Sequence, residues 1–507
     1  MSGLSKSKYT TFCQCQKALW LKTHKPEVEV IEDDRQARLD RGNEVGDLAM
    51  GLFGNFVEVT TLLHNGSLDL TTMINKTQQE MAKGTDVICE ASFSYQNNYC
   101  AVDLLRKTDQ GWSIYEVKSV SSNDSNKPKK FEKYYLDIAY QKWVLTQCGV
   151  NVTETYLVCL NSNYVRDESL DLSKLFAIID VSELIKSEYD LVPERVEKAT
   201  TVIDSEKEPD IDLSEHCKKP QDCSFWNYCT RNLPKPNVFD LYGTGFSFDK
   251  KLECYRNGNI SFDSLHGMSF DKIRGMQIEA ALTGRTFINP EGIQQFLNTL
   301  SYPLYFLDFE TMELVMPEFK GTKPFQQIPF QYSLHIKESK TATYQHREFL
   351  AASDGTDPRR SLAEQLCKDI PKDVCTLAYH KSTECNIIKK LAEDFPDLAG
   401  HLLNISKNIK DLLVPFQEGY YYVAAIGGSF SIKSVLPALF PNDPSLNYHN
   451  LDVRVQKGTE AMTVFPKIKD MQPDEAAATR EALLRYCELD TLAMVKVLER
   501  LEEVAKE

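Results

Sequence analysis

The segment Tyr305-Phe306-Leu307-Asp308-Phe309-Glu310-Thr311 is apolar on both of its alternating faces, yet it carries two carboxylates two residues apart. A run with no polar face belongs to a central strand of an α/β sheet, covered on both sides, rather than to an edge. Residues i and i+2 of a strand share a face, so Asp308 and Glu310 point one way while Leu307 and Phe309 point into the core. Paired buried acids repel each other, and a cation or hydrogen bonds must offset that repulsion. Near the C-terminus, Tyr486-Cys487-Glu488-Leu489-Asp490 lies in an amphipathic helix expected from about Asp474 onward. Tyr486 and Asp490, four apart, are neighbours on that helix and can present a hydroxyl and a third carboxylate to the same point. Mg²⁺ or Mn²⁺ takes such oxygen ligands, and a metal-dependent site is the expectation.

A chain of 507 residues predicts two or three domains, each with its own core. The doublet of prolines in LPKPNVF marks a boundary. The expected division is a mixed helix and strand domain over 1–235, a polar, glycine-bearing connector with short helices over 236–299, and a second α/β domain over 300–507. The N-terminus lacks the apolar core of a secretion signal, and no apolar run is long enough to span a bilayer. A cytoplasmic protein without a membrane partner is expected. Of fourteen cysteines, Cys89, Cys100, Cys148, Cys159, Cys254, Cys367, Cys375, Cys385 and Cys487 stand singly among apolar residues and read as buried thiols in a reducing compartment. A net charge of -15 excludes a protein that coats nucleic acid with its whole surface, but not one with a local basic groove.

In the N-terminal half, Cys100 to Leu105, a turn over Lys107 to Gly111, and Trp112 to Lys118 read as a β-hairpin. Glu116 and Lys118 share a strand face, and with Asp103 they could bind one or two Mg²⁺ ions and set an ammonium beside an attacked phosphate. A solvated hairpin edge is the competing reading. Asp103 with Glu116-Val117-Lys118, preceded by Glu90 and followed by Gln141 in YYLDIAYQKWVL, resembles the PD-(D/E)XK nucleases of the RecB family, which have a restriction-endonuclease-like fold. The resemblance implies that Asp103 and Glu116 bind metal and that Glu90, Lys118 and Gln141 assist catalysis. It departs at Arg41-Gly42-Asn43-Glu44-Val45-Gly46, where many relatives carry a histidine ligand. The following loop is locally basic, and its Lys127, Lys129, Lys130 and Lys133 suit a phosphodiester backbone.

Cys217, Cys223 and Cys229 recur with five residues between neighbours, and Cys15 precedes Lys17-Ala18-Leu19-Trp20-Leu21 far upstream. This pattern resembles the iron-sulfur branch of RecB-like nucleases, which implies a [4Fe-4S] cluster on Cys15, Cys217, Cys223 and Cys229, with Cys13 as the alternative to Cys15. Four thiolates satisfy such a cluster, and closing so long a loop removes unfolded-state entropy. Zinc is the rival, although it usually takes tighter C-x2-4-C pairs.

Asp308-Phe309-Glu310-Thr311 with Tyr486-x3-Asp490 resembles the DnaQ-like DEDDy exonucleases on an RNase H-like fold. Four carboxylates there hold two metals, and the tyrosine orients the attacking water. The family's second motif matches Leu377 to Asn386, with Glu384 where the family has Asp; Asp411 is a substitute candidate. Gly427-Gly428-Ser429-Phe430-Ser431-Ile432-Lys433 and Tyr448 to Gly458 resemble a bacterial family of uncharacterised proteins pairing these two domains, and Lys433 could approach a phosphate backbone.

The joint expectation is an α/β multidomain chain, PD-(D/E)XK restriction-endonuclease-like plus RNase H-like with a helical connector, acting as a Mg²⁺- or Mn²⁺-dependent nuclease with two active sites. The resemblances favour single-stranded DNA ends over RNA. The alternatives are a nucleic-acid-binding adaptor with one or both sites inactive and an RNA-processing 3'-5' exonuclease. Repair, foreign-DNA defence and nucleic-acid turnover fit these residues equally, and protein partners are unknown.

Overall fold

A computed structural model describes residues 3–30, 35–123 and 128–506. The protein is a mixed α/β chain with several sheets, and it divides into two compact units. One comprises Met1–Asn232 together with Val315–Gln326, the other Leu233–Leu314 together with Gln327–Glu507. No helix among the described residues is long and apolar enough to cross a membrane.

The sheet of the first unit has seven strands: β1 (Leu4–Ser5), β2 (Val57–Glu58), β3 (Val87–Tyr95), β4 (Asn98–Thr108), β5 (Gly111–Ser121), β6 (Val152–Leu160) and β7 (Phe176–Asp180). Its order is β2-β3-β4-β5-β6-β7, with β1 beside β4. β3, β4 and β5 form an antiparallel meander, whereas β5 and β6 are parallel and are joined through the helix Pro128–Gln147. Parallel neighbours require such a crossover. β5 is covered on both faces. Ile114 packs with Tyr140 and Val144 on the helix side, and Tyr115 and Val117 pack with Val45, Met50, Val315 and Met316 on the other. Val315–Gln326 is thus part of this unit's core, and the Arg166 guanidinium fastens it by donating to the carbonyl of Pro317 at 2.9 Å.

In the second unit, β8 (Phe287–Ile288) pairs with β14 (Tyr421–Tyr422), and a five-stranded sheet runs in the order β11-β10-β9-β12-β13. Here β9 is Leu304–Leu314, β10 Gln326–Lys337, β11 Gln345–Leu350, β12 Cys375–Ala378 and β13 Ile409–Asp411. β10 and β11 are antiparallel; β9, β12 and β13 are parallel. Central β9 sends Tyr305, Leu307 and Phe309 into a core with Tyr332, Leu334 and Ile388, leaving Asp308 and Glu310 on the opposite face. The C-terminal helix Pro473–Val504 packs against β9, and the Cys487 thiol approaches the Asp308 carbonyl at 3.9 Å.

One expectation is extended and one corrected. The stretch 236–299 packs as part of the second unit: Val238, Leu241, Phe262, Leu265 and Ile278 form a core of their own. Its polar, glycine-punctuated composition hid these anchors because they are spread over several short helices, two of which bury a single apolar side chain or a pair. Among the nine single cysteines, Cys148 is exposed, because it follows the last turn of Pro128–Gln147, while Cys254, Cys367 and Cys385 are half-buried.

Candidate functional sites

Where β5 runs past the apolar cover of the helix Pro128–Gln147, its helix-facing side continues as Glu116 and Lys118. Asp137 and Gln141, four apart on that helix, meet them. The Lys118 ammonium donates to Glu116 Oε1 and, at 3.1 Å, to Asp137 Oδ2. Asp103, on adjacent β4, accepts a 2.7 Å bond from the backbone N–H of Val117. Lys6, the first residue of the helix Lys6–Gln14, reaches Glu116 Oε1 at 2.9 Å and lies 3.7 Å from Asp137 and 3.9 Å from Asp103. Glu90 takes the left-handed backbone conformation, φ +56°, and drops out of the β3–β4 ladder at the position facing Asp103. An outlier of this kind redirects a side chain.

Burial, reinforced by the Glu116 charge, pushes Asp103 up to about 6. Burial and the Asp103 charge push Glu90 up to about 7. Glu116 moves the other way. Burial disfavours its charge, but the ammonium groups of Lys118 and Lys6 outweigh burial and hold it well below the usual carboxylate range. The structure therefore brings Glu90, Asp103, Glu116, Lys118 and Gln141 together and adds Lys6 and Asp137. Asp137 was legible as the i-4 neighbour of Gln141 in YYLDIAYQ. Lys6 gave no such signal.

Lys133 stands near this site, its ammonium 5.0 Å from the Tyr134 ring centre and disfavoured by burial and by Lys118. Of its expected companions, Lys127 and the side chains of Lys129 and Lys130 lie outside the described residues. Glu44, in the stretch where a histidine ligand was missing, has a carboxyl raised by burial and by Glu318.

Cys15, Cys223 and Cys229 pack around Ala18, Trp20, Leu21 and Phe225. Cys217 interacts electrostatically with Cys15, Cys223 and Cys229, and its carbonyl accepts from the N–H of Cys223 at 3.0 Å. None of the four is in a disulfide. Burial, with the neighbouring sulfurs adding, pushes Cys223 and Cys229 up to about 11, so this convergence holds protons unless a cation replaces them. Cys13 faces elsewhere: its partners are Tyr9, Arg195 and Glu188. Among the described residues, the one trio of ligand atoms lying within 4.8 Å of one another belongs to Asp308, Glu310 and Cys487, so no three of the four thiols are that close.

In the second unit, β9 supplies Asp308 and Glu310, the helix Ser382–Asp394 following β12 supplies Glu384, and Pro473–Val504 supplies Tyr486 and Asp490. Burial comes first in raising Asp308 well above the usual range, followed by the charges of Asp490, Glu310 and Glu384. Glu310 is likewise raised by burial and Asp490. Glu384 is pushed up to about 8, and its buried Oε2 has no hydrogen-bond partner. Asp411 does not replace it, because its carboxylate accepts from the backbone N–H groups of His380, Lys381 and Leu413 at 2.9–3.1 Å. That role fixes the turn that delivers Glu384.

Lys433 points into this site, donating to Tyr486 Oη at 2.6 Å. Tyr448 Oη donates to Asp490 Oδ1 at 2.6 Å. The Gly458 backbone lines the site: a Cβ there would lie 3.6 Å from Tyr486 Oη and 4.0 Å from Glu310 Oε2. Sequence reasoning singled out the stretch Tyr448 to Gly458 without assigning its ends to the site. Cys487 completes the close trio with Asp308 and Glu310, but burial holds its thiol protonated, and a soft sulfur is a poor ligand for Mg²⁺. The oxygens of Asp308, Glu310 and Asp490 are the donor set that suits a hard cation.

A family model described as a domain of unknown function (DUF2779) matches residues 305–431. That interval contains Asp308, Glu310 and Glu384 and ends before Lys433, Tyr486 and Asp490. The chain is similar to the uncharacterised protein MG366 homolog of Mycoplasma pneumoniae, at 21% identity over 453 residues that cover 79% of this chain and 68% of that protein. It is also similar to the uncharacterised protein MG366 of Mycoplasma genitalium, at 22% identity over 318 residues, 56% of this chain and 47% of that protein. The chain thus spans less than half the length of this second relative. No solved structure matches the chain.

Proposed function

We propose that this chain is a metal-dependent nuclease hydrolysing phosphodiester bonds, with an exonuclease site of the DnaQ-like DEDDy kind on an RNase H-like second unit and a RecB-like PD-(D/E)XK site in the first. The observation that carries the reading is the gathering of Asp308, Glu310, Glu384, Asp490 and Tyr486, from one central strand and two helices, into one electrostatically coupled cluster in which Asp308 and Glu310 place oxygens within 4.8 Å of one another. So many carboxyl groups repel one another without a cation. The sheet order β11-β10-β9-β12-β13, with the acids on central β9, supports the RNase H-like assignment. Mg²⁺ or Mn²⁺ bound by Asp308, Glu310 and Asp490 would activate water and stabilise the leaving oxygen. The protein's own part is to hold Tyr486 beside the acids and to exclude bulk water from them.

For the first unit, the reading rests on Asp103, Glu116 and Lys118 beside Gln141, with Glu90 facing Asp103. The four converging thiols support a [4Fe-4S] cluster over zinc, because tetrahedral zinc needs sulfurs roughly 3.8 Å apart. A groove of about 780 Å³ lined by Lys22, Arg38, Lys133 and Lys218, with Glu29 and Asp222 among them and the partly exposed Trp226 at its side, offers cations for a strand's backbone and one ring for a base. DNA is the proposed substrate, and the cytoplasm its proposed setting.

One observation favours the adaptor reading at the first site. Glu116 is already engaged by Lys6, Lys118 and Gln141, which competes with metal binding. The deciding assay incubates the protein with 5'-labelled and 3'-labelled single-stranded DNA in Mg²⁺ or Mn²⁺, alongside Asp103→Ala, Asp308→Ala and the double variant. Each single variant is expected to lose part of the degradation. A double variant as active as the parent refutes the reading, and binding without cleavage by cluster-loaded protein transfers it to the adaptor.

A further inference from the structure

The nuclease reading gives the second site the task of balancing its carboxyl groups with cations, and two-metal sites do so with two ions about 4 Å apart. This chain departs from that arrangement in two places at once. Glu384 stands at the fourth acidic position with an unpartnered buried oxygen, and a lysine side chain occupies space beside the other three acids.

Lys433 is built into the site. It belongs to the first turn of the helix Ile432–Leu439, which Ser429, Phe430 and Ser431 separate from Gly427-Gly428. Gly428 admits no other side chain, because a Cβ there would lie 2.1 Å from the carbonyl oxygen of Asp240, and Gly427 has φ +66°. The approach to that helix is therefore held close to the Asp240 backbone. The lysine Nζ lies 4.8 Å from the Tyr486 ring centre and 5.1 Å from that of Tyr448, and donates to Tyr486 Oη at 2.6 Å. Both rings present faces that attract a cation.

Tyr486 accepts from Lys433 and hydrogen-bonds Asp490, while Tyr448 donates to Asp490 Oδ1. Asp490 is thereby oriented from two sides, next to Asp308 and Glu310, whose oxygens lie within 4.8 Å of one another and can share one cation. A second divalent ion near the first would sit against a fixed positive charge, in surroundings where such repulsion is strong.

We propose, resting on the metal-site reading above, that the second site holds a single divalent cation among Asp308, Glu310 and Asp490. Lys433 supplies the second positive charge that two-metal nucleases take from a second ion. The lysine is then a fixed counter-charge to the phosphate of a strand end bound at that cation.

Manganese alone tests this in the full chain without any turnover. Mn²⁺ binding is measured by equilibrium titration and electron paramagnetic resonance on the Asp103→Ala protein and on the same protein carrying Asp308→Ala in addition. The expected difference is one Mn²⁺ per chain with an isolated six-line signal. A difference of two, with a spin-coupled signal, overturns the inference and leaves the nuclease reading standing. No difference at all removes the metal site and the inference with it. In the Asp103→Ala background, Lys433→Met is expected to admit a second, coupled Mn²⁺, and Lys433→Arg to keep one. A Lys433→Met protein that still binds one Mn²⁺ with unchanged affinity overturns the role given to the lysine. Should that variant fail to fold, the parent stoichiometry still decides.

Discussion

The Gln141 amide donates to Glu116 Oε2 at 2.7 Å and to Asp137 Oδ1 at 3.2 Å, so one neutral side chain ties a strand carboxylate to a helix carboxylate. Without it, two negative groups would face each other across a buried gap with only Lys6 and Lys118 between them.

Gln141→Leu should therefore lower stability by about 1–3 kcal/mol, the cost of leaving buried acceptors unsatisfied. Cleavage by the first site should fall with it. Urea unfolding and DNA degradation, both in an Asp308→Ala background that silences the second site, check the two effects. An unchanged midpoint would mean that water replaces the amide without loss.

Removing one of the four converging thiols should uncouple the N-terminal helix Gln16–His24 from the distant Cys217 to Cys229 segment. Cys223→Ser is expected to lose visible absorbance and iron after anaerobic purification, and to unfold at lower temperature than the parent. A colourless parent with stoichiometric zinc would contradict the cluster. Chelation should reproduce the stability loss in the parent but add nothing to the variant.

Metal-free protein should lose stability as pH rises from about 5 to 9. Glu384 titrates at about 8 when folded and near 4.3 when unfolded, so the folded state holds the extra proton over this interval up to about pH 8, and raising the pH penalises it. Asp103, at about 6, contributes the same sign over the lower part of the interval. Glu116 does not, since its depressed value makes its contribution constant above the usual carboxylate range. Thermal melts in EDTA across this interval should slope downward, and Mg²⁺ should flatten the slope. A rising slope in EDTA contradicts the buried-acid description.

Met316→Ala should destabilise the first unit by about 2–4 kcal/mol, the usual result of truncating a buried side chain. The residue lies more than eighty positions beyond Asn232 in the sequence, yet it shares a core with Tyr115 and Val117 of β5. Hydrogen exchange at β4 and β5 is the measurement. Protection lost only around residue 316 would contradict that shared core.

What the sequence revealed follows from periodicity. The apolar run around Asp308, the hairpin of β4 and β5 and the helix ending the chain each carry a repeat of two or about 3.6 residues, and each forms as expected. Asp308 with Glu310 and Tyr486 with Asp490 were readable because partners on one element stand at fixed spacing. Lys6 was not, because it meets Glu116 across 110 residues of sequence, a distance that no local pattern encodes. Lys433 was singled out beside its glycines, but its contact with Tyr486 was not readable, and Tyr448 lies in a short 3-10 turn whose sequence does not say which side chain it serves. Asp411 looked like a ligand by composition. Only the three backbone N–H groups aimed at it reveal its anchoring role.

The insertion of Val315–Gln326 into the first unit has a consequence for biosynthesis. Emerging from the ribosome, the chain presents the first 232 residues long before Val315 and Met316 exist, so the β5 face they cover stays open to water, or to a chaperone, during that interval. The first unit closes only after β9, with Asp308 and Glu310, has already been made. The unit that comes first in the sequence is therefore completed only after synthesis of the second is under way.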